Sequence, residues 1–164
     1  MHVSNWLARV SLIATLLLLS SCGWRLQGAN QLPELLATAY VETKDPYTDF
    51  NRALRESLTA SGAKVVEDRA LASAIVRIRR DESGQRVLSV SARNTPEEFE
   101  VYYIVEYSVD GNGQELIAPD TLSLGRDYSY DERAVLAKQR EQAVLREALA
   151  RDIAGLIVRR LAAL

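Results

Sequence analysis

The sequence predicts an α+β fold: two helices packed on one face of a mixed, mostly antiparallel four-stranded sheet. Three observations predict it. Patterned segments come in the order strand, helix, several strands, long helix. From Phe99 to Val109 every second residue is apolar, the period of a half-buried strand, and Asp110-Gly111-Asn112-Gly113 follows as a hairpin signal. Leu145, Leu149, Ile153, Leu156 and Leu161 then recur near the helical period, marking one buried stripe.

The chain opens on a short head with Arg9 as its firm positive charge, then an almost wholly apolar run from Val10 to Leu19. That run is far short of the roughly 20 residues a bilayer-spanning helix needs. It has the layout of a secretory signal, and it ends in Leu19-Ser20-Ser21-Cys22. Leucine, two small residues and the only cysteine in the chain make the pattern of a bacterial lipobox. Residues 1–21 are therefore expected to be a lipoprotein signal peptide, and Cys22 the acylated first residue of the mature chain. A lone thiol has no disulfide partner, which favours lipidation over a redox role. One acyl chain anchors only marginally, and lipoproteins with this motif carry more than one. Gly23, not Asp, follows the cysteine, which by the sorting rules of Gram-negative bacteria favours the outer membrane.

Residues 22–31 read as a polar tether and residues 32–164 as a single α+β domain. Leu35 to Thr43 reads as a buried strand, with Tyr40 and Val41 ahead of its first charge, Glu42. Asp45-Pro46 offers an N-cap followed by proline at the first helical position. Phe50, Leu54 and Leu58, spaced by four, give that helix an apolar face, and Gly62 is placed to end it. Ala74 to Arg79 alternates, with Ile75, Arg77 and Arg79 on one face and Ala74, Val76 and Ile78 on the other. Asp81-Glu82-Ser83-Gly84 reads as a turn. Arg86 to Arg93 reads as the next strand, with Leu88, Val90 and Ala92 inward, broken by Asn94-Thr95-Pro96. After the Glu98–Val109 strand and its hairpin, Pro119 disrupts pairing, so the return strand is expected over Thr121–Tyr130. A long helix runs from an Asp131 N-cap toward Leu164; its first turns, Ala137 to Gln142, are polar enough to stand clear of the core.

Composition excludes several functions. Without residues 1–21 the chain has 143 residues and 19 basic against 22 acidic side chains, enough for one core but no excess charge for bulk nucleic-acid binding. The only histidine is His2, inside the signal. No imidazole or free thiol is left for a Ser-His-Asp or Cys-His site, nor for a His/Cys zinc or copper centre. No phosphate-cradling glycine loop and no nucleophile elbow occurs. Asp110-Gly111-Asn112-Gly113 lacks the ligand spacing of a calcium loop. The sequence nominates no cofactor, no metal and no enzyme activity; a carboxylate-only hydrolase is formally open, but no spacing selects its residues.

What remains is binding chemistry. Arg77, Arg79, Arg86, Arg93, Arg126 and Lys138 form a set of basic residues at strand ends and on the adjoining helix. Guanidinium groups suit bidentate phosphate contacts, and lysine adds a point charge. Near a membrane such a set could hold the phosphates of an anionic lipid; the plainer reading is a solvated face paired with Glu98, Glu100 and Glu106. Arg126-Asp127-Tyr128-Ser129-Tyr130-Asp131 also places two aromatics where a strand gives way to the last helix, as a partner surface or as packing for that helix.

Cys22-Gly23-Trp24-Arg25-Leu26, the Arg126-Asp127-Tyr128 strand and Leu136-Ala137-Lys138 at the last helix together resemble the LPS-assembly lipoprotein LptE family, in order and over essentially the whole length. That resemblance implies a lipid-anchored outer-membrane protein, facing the periplasm and seated within a barrel lumen. It implies a plug-and-barrel translocon with an LptD-like outer-membrane β-barrel, help in assembling that barrel, and binding and delivery of lipopolysaccharide to the outer leaflet. It assigns lipopolysaccharide contacts to the positions of Arg93, in Ser91-Ala92-Arg93-Asn94, and Lys138, with Arg77, Arg79 and Arg126 as further basic candidates. The alternative is a non-enzymatic structural or chaperone-like lipoprotein that binds only an outer-membrane protein.

Overall fold

The computed structural model describes residues 31–164; the expected signal, Cys22 and the tether up to residue 30 lie outside the described residues. The elements are β1 (Thr38–Glu42), α1 (Asp49–Ala60), β2 (Lys64–Val65), β3 (Ala74–Val90), β4 (Pro96–Gly111), β5 (Gln114–Ser129) and α2 (Val135–Leu161). Sheet order is β2-β1-β3-β4-β5. β1 runs parallel to β2 and β3, whereas β3, β4 and β5 are antiparallel neighbours. Both helices cover one face, as the α+β reading requires, and α1 packs on α2.

The sheet has five strands, not four. The added one, β2, is two residues long and too short to show any periodicity. Four further expectations are corrected. The first concerns β1: Leu35 and Leu36 belong to a 3₁₀ turn, Glu34–Leu36, rather than to the strand. The second concerns the start of α1. Asp45 accepts from the Tyr47 amide, while Thr48 is the cap that accepts from the Asn51 amide at 3.1 Å. Thr48 wins because its hydroxyl also donates to Asp81 on β3 at 2.5 Å, fastening the helix start to the sheet. Gly62 does end the helix, at φ +93°.

The third correction is the largest. Asp81-Glu82-Ser83-Gly84 is not a turn; β3 runs unbroken through it, 17 residues paired along β4. Asp81 is held by Thr48 and by the Tyr103 hydroxyl, which donates at 2.8 Å. Gly84 lies beneath the Tyr102 ring. A bulge between Ile78 and Arg80 absorbs the twist of so long a pair. Leu88 and Val90 are about half exposed and Ala92 is exposed, so the inward face expected for them is not there. β1 ends its pairing at Arg77, and beyond it β3 has β4 as its one strand partner among the described residues.

The fourth concerns β5, which begins at Gln114 rather than Thr121. Pro119 sits in a register shift between Ile117 and Asp120, a bulge on an edge strand, where a missing amide costs no ladder bond. The Asn112-Gly113 hairpin is as expected: both residues have positive φ, 50° and 77°, the two-residue turn that matches strand twist.

The core follows the alternation of β4. Val101, Tyr103, Val105, Tyr107 and Val109 are all buried, against Phe50, Leu54 and Leu58 of α1. From α2 come Leu149, Ile153, Ile157 and Leu161; Leu156 is exposed, and Ile157 takes the place expected of it. Asp131 caps a 3₁₀ turn, Glu132–Ala134, and α2 proper starts at Val135. Its first turns do stand clear: Val135, Leu136 and Val144 are exposed. Each buried leucine or isoleucine here is worth about 2–5 kcal/mol on truncation to alanine.

Candidate functional site

The ends of the long sheet differ in chemistry. At one end lie the Asn112-Gly113 turn, the α1 C-terminus and Leu32, whose amide bonds to Ser61. The other end, the distal pole, is built by the β3–β4 connection, the end of β5 and the first turns of α2.

The β3–β4 connection is a pinned turn. Ser91 Oγ accepts from the Arg93 and Thr95 amides, each at 3.2 Å, and shares a hydrogen bond with Thr95 Oγ1 at 2.6 Å. Asn94, at φ 59°, donates its amide to the Ser91 carbonyl. Arg93 is held at the tip of this turn, exposed, with no carboxylate partner within 4 Å among the described residues. A fixed backbone removes the loop-ordering cost of binding an anion, leaving only the rotamer entropy of the Arg93 side chain to be lost.

Behind the tip, three aromatics stack on the helix-covered face. Phe99 lies 5.8 Å from Tyr128, nearly parallel, and 5.3 Å from Tyr130, edge-on. The Tyr128 hydroxyl donates to Gln85 Oε1 at 3.1 Å. Burial, then the nearby Glu141 carboxylate, raises the Tyr128 hydroxyl pKa above its ordinary value, so it stays a donor at any physiological pH. Lys138 rests its ammonium 6.0 Å from the Tyr128 ring centre and 2.8 Å from Glu141. Tyr128 thus serves as packing and as a seat for Lys138, nearer the second of the two readings open for it, while Tyr130 packs edge-on against Phe99. Val87, Leu88 and Val90 on β3, with Val135 and Leu136 on α2, add exposed apolar surface at this pole.

The other basic candidates lie elsewhere. Arg126 is on the helix-covered face and reaches Asp152 of α2 at 2.6 Å. Arg77 is on the open face, paired with Asp110 and, at 3.6 Å, with Glu42. Arg79 sits in the bulge, beside Arg77 on an open depression of about 560 Å³ that Lys44 also lines. Arg77 and Arg79 line that depression together with Glu106. Arg86 pairs with Glu100 on the open face, in line with the solvated-pair reading. The structure therefore brings only Arg93 and Lys138 to one pole, and distributes the rest along the sheet.

Sequence reasoning missed the open-face aromatic Tyr102, which lies over Gly84 with Arg86 5.9 Å from its ring centre. A glycine paired with an aromatic across two strands is a usable signal, but only once register is known.

Comparison with known proteins gives one consistent result. The sequence model of the family described as LptE, lipopolysaccharide-assembly, matches residues 36–161. The LPS-assembly lipoprotein LptE of Pectobacterium atrosepticum is 32% identical over 153 residues, covering 88% of this chain and 79% of the relative. Among solved structures, the rare lipoprotein B of Shewanella oneidensis is 28% identical with a TM-score of 0.67, covering 77% of this chain and 94% of that one. An uncharacterized lipoprotein B of Nitrosomonas europaea is 26% identical with a TM-score of 0.71, covering 86% and 91%.

Proposed function

The chain belongs to the LptE lipopolysaccharide-assembly family, and from that premise we propose that it is an outer-membrane lipoprotein that binds lipopolysaccharide. In this reading it plugs an LptD-like β-barrel, assists assembly of that barrel, and helps deliver lipopolysaccharide to the outer leaflet. Acyl chains on Cys22 hold it at the membrane, facing the periplasm and reaching into the barrel lumen. No helix among the described residues is long and apolar enough to cross a bilayer.

One observation carries the reading: the distal pole joins two cations, Arg93 and Lys138, to exposed valines and leucines beyond the packed core. An amphiphile with phosphates beside acyl chains needs that pairing. Arg93 supplies a free fork for phosphate oxygens, Lys138 a point charge that can exchange Glu141 for phosphate. Arg126, Arg77 and Arg79 are secondary, since Arg126 is tied to Asp152, and Arg77, tied to Asp110, lies with Arg79 and Lys44 on a depression away from the distal pole. The role is binding, not turnover.

The test is lipopolysaccharide binding by the detergent-solubilised lipoprotein at several salt concentrations, beside the Arg93→Asp/Lys138→Asp double variant. Binding should fall with salt and fall further in the variant; equal binding removes the site. Recovery from membranes without a stoichiometric β-barrel would remove the partner.

A second reading is favoured by β5, a 16-residue edge strand with no partner strand on its outer side among the described residues. Such an edge is a template for another chain's strand. A lipoprotein that recognised only protein would co-purify with the barrel and show no saturable lipopolysaccharide binding.

A further inference from the structure

The open face of the sheet carries a second built feature, away from the distal cations. Gly84 on β3, Tyr102 on β4 and Gly125 on β5 are directly opposed in one row across three strands. A Cβ placed on Gly84 would lie 2.5 Å from Tyr102 Oη, 2.6 Å from Cζ and 3.0 Å from Cε1. Near-equal distances to Oη and Cζ, with Cε1 farther, put that point above the plane of the ring at its phenolic C–O end. The ring therefore lies flat on the strand, one face against Gly84. On the other flank, a Cβ on Gly125 would collide with the Glu100 carboxyl group. The Tyr102 ring fills the space over Gly84 and the Glu100 carboxyl group the space over Gly125, and a broad open depression of about 500 Å³ lies above them, lined by both side chains. Its rim is polar and planar: Glu82, Arg86, Glu100 and Ser123. Arg86 and Glu100 are paired, and Glu82 is fixed by Arg80 at 2.6 Å, so these groups are oriented before any ligand arrives.

We propose that this depression is a pyranose-binding platform, with the Tyr102 ring as its floor. A pyranose presents a patch of axial C–H bonds on one face and a belt of vicinal hydroxyls around it. The C–H patch suits a flat aromatic ring, whose face carries the negative end of the quadrupole. The hydroxyl belt suits guanidinium and carboxylate groups at the rim, which make the stronger, charge-assisted hydrogen bonds. Covering a glycine with an aromatic is also a purely structural device in sheets. That device explains the posture of Tyr102 over Gly84. It does not explain the polar groups, Arg80, Glu82, Arg86, Glu100 and Ser123, gathered around the ring. The proposal rests on the lipopolysaccharide reading only for its choice of glycan, and it does not involve Arg93 or Lys138.

The probes are the lipid-free core oligosaccharide released from lipopolysaccharide by mild acid, and maltohexaose as a neutral hexose chain. Full-length lipoprotein in detergent is titrated with each and followed by saturation-transfer NMR. Saturation should reach the ring C–H protons of the core oligosaccharide most strongly. Tyr102→Ala should weaken binding about tenfold, and Tyr102→Phe should keep it within about twofold. Ser123→Trp, at an exposed position, fills the depression without disturbing the Tyr102–Gly84 pair and should abolish binding; it decides the matter if Tyr102→Ala unfolds. Arg93→Asp/Lys138→Asp should leave oligosaccharide binding unchanged. No saturable signal from either saccharide, or equal binding by wild type and Ser123→Trp, overturns the platform. Oligosaccharide binding that survives while intact lipopolysaccharide binding proves insensitive to Arg93 and Lys138 sinks the distal-pole reading alone.

Discussion

The two halves of β3 both carry apolar residues and end in opposite environments. In the first half, Ala74, Val76 and Ile78 are buried and their neighbours are not. In the second, Val87, Leu88 and Val90 are all about half exposed. Alternation of apolar residues specifies an extended strand, but burial needs a second layer. The first half has β1 beside it and the helices above; the second half has β4 alone as a pairing partner. The difference separates a scaffold whose residues are spent on stability from an extension whose apolar residues are left available to a ligand or partner.

The largest expected effect lies in the scaffold. Ile153→Ala empties a fully buried position and should lower unfolding free energy by about 2–5 kcal/mol in urea titrations. Less than about 1 kcal/mol would mean that α2 is not the layer that defines the buried half. Next comes the extension: Arg93→Asp/Lys138→Asp should weaken lipopolysaccharide binding about tenfold or more while the melting temperature moves little. A collapse in stability instead would place both residues in the scaffold.

Third is the fastening of α1 to α2. Burial pushes the Asp49 carboxyl up, but Arg146 at 2.9 Å and Arg52 at 2.8 Å outweigh it and hold its pKa below the ordinary value. A carboxyl depressed in the folded state stabilises above its unfolded pKa and loses that contribution as pH falls through its folded one. Asp49→Asn should cost about 1 kcal/mol near pH 7, a modest figure because the partners are partly exposed. Stability measured from pH 7 down to pH 2 should show the gap closing at the acid end. A gap that persists there would assign the loss to packing. The smallest effect belongs to the extension again: Val87→Ala should change stability by less than about 0.5 kcal/mol. A cost like that of Ile153→Ala would mean the distal strand is covered.

Local signals reported local facts well. The apolar face of α1, the inward set of β4, the Asn112-Gly113 turn and the exposed start of α2 were legible because each depends on neighbours within a few residues. What was not legible depended on residues far apart in sequence. Asp81-Glu82-Ser83-Gly84 has turn composition, yet Thr48 and Tyr103 hold Asp81, and Tyr102 covers Gly84. Asp45-Pro46 is a good helix start in isolation, and Thr48 displaces it by reaching β3. For the candidate site, residue types and the pole carrying Arg93 and Lys138 could be proposed from the sequence. The separation of Arg77, Arg79 and Arg126 from that pole could not, because it depends on how far β3 runs on past Arg79 and on which face β5 turns to α2.

The length of β4 sets a geometric limit. Its 16 residues span about 50 Å at about 3.3 Å each, with Arg93 beyond one end and the Leu32–Ser61 contact near the other. Nine peptide steps separate Cys22 from Gln31, at most about 30 Å of chain. Were Cys22 the acyl anchor, the guanidinium at the far tip could never fold back to the spot where those fatty acids enter the leaflet. The tether falls short of the far tip by on the order of 10–20 Å, so a lipid met by Arg93 lies away from the point where those acyl chains are attached.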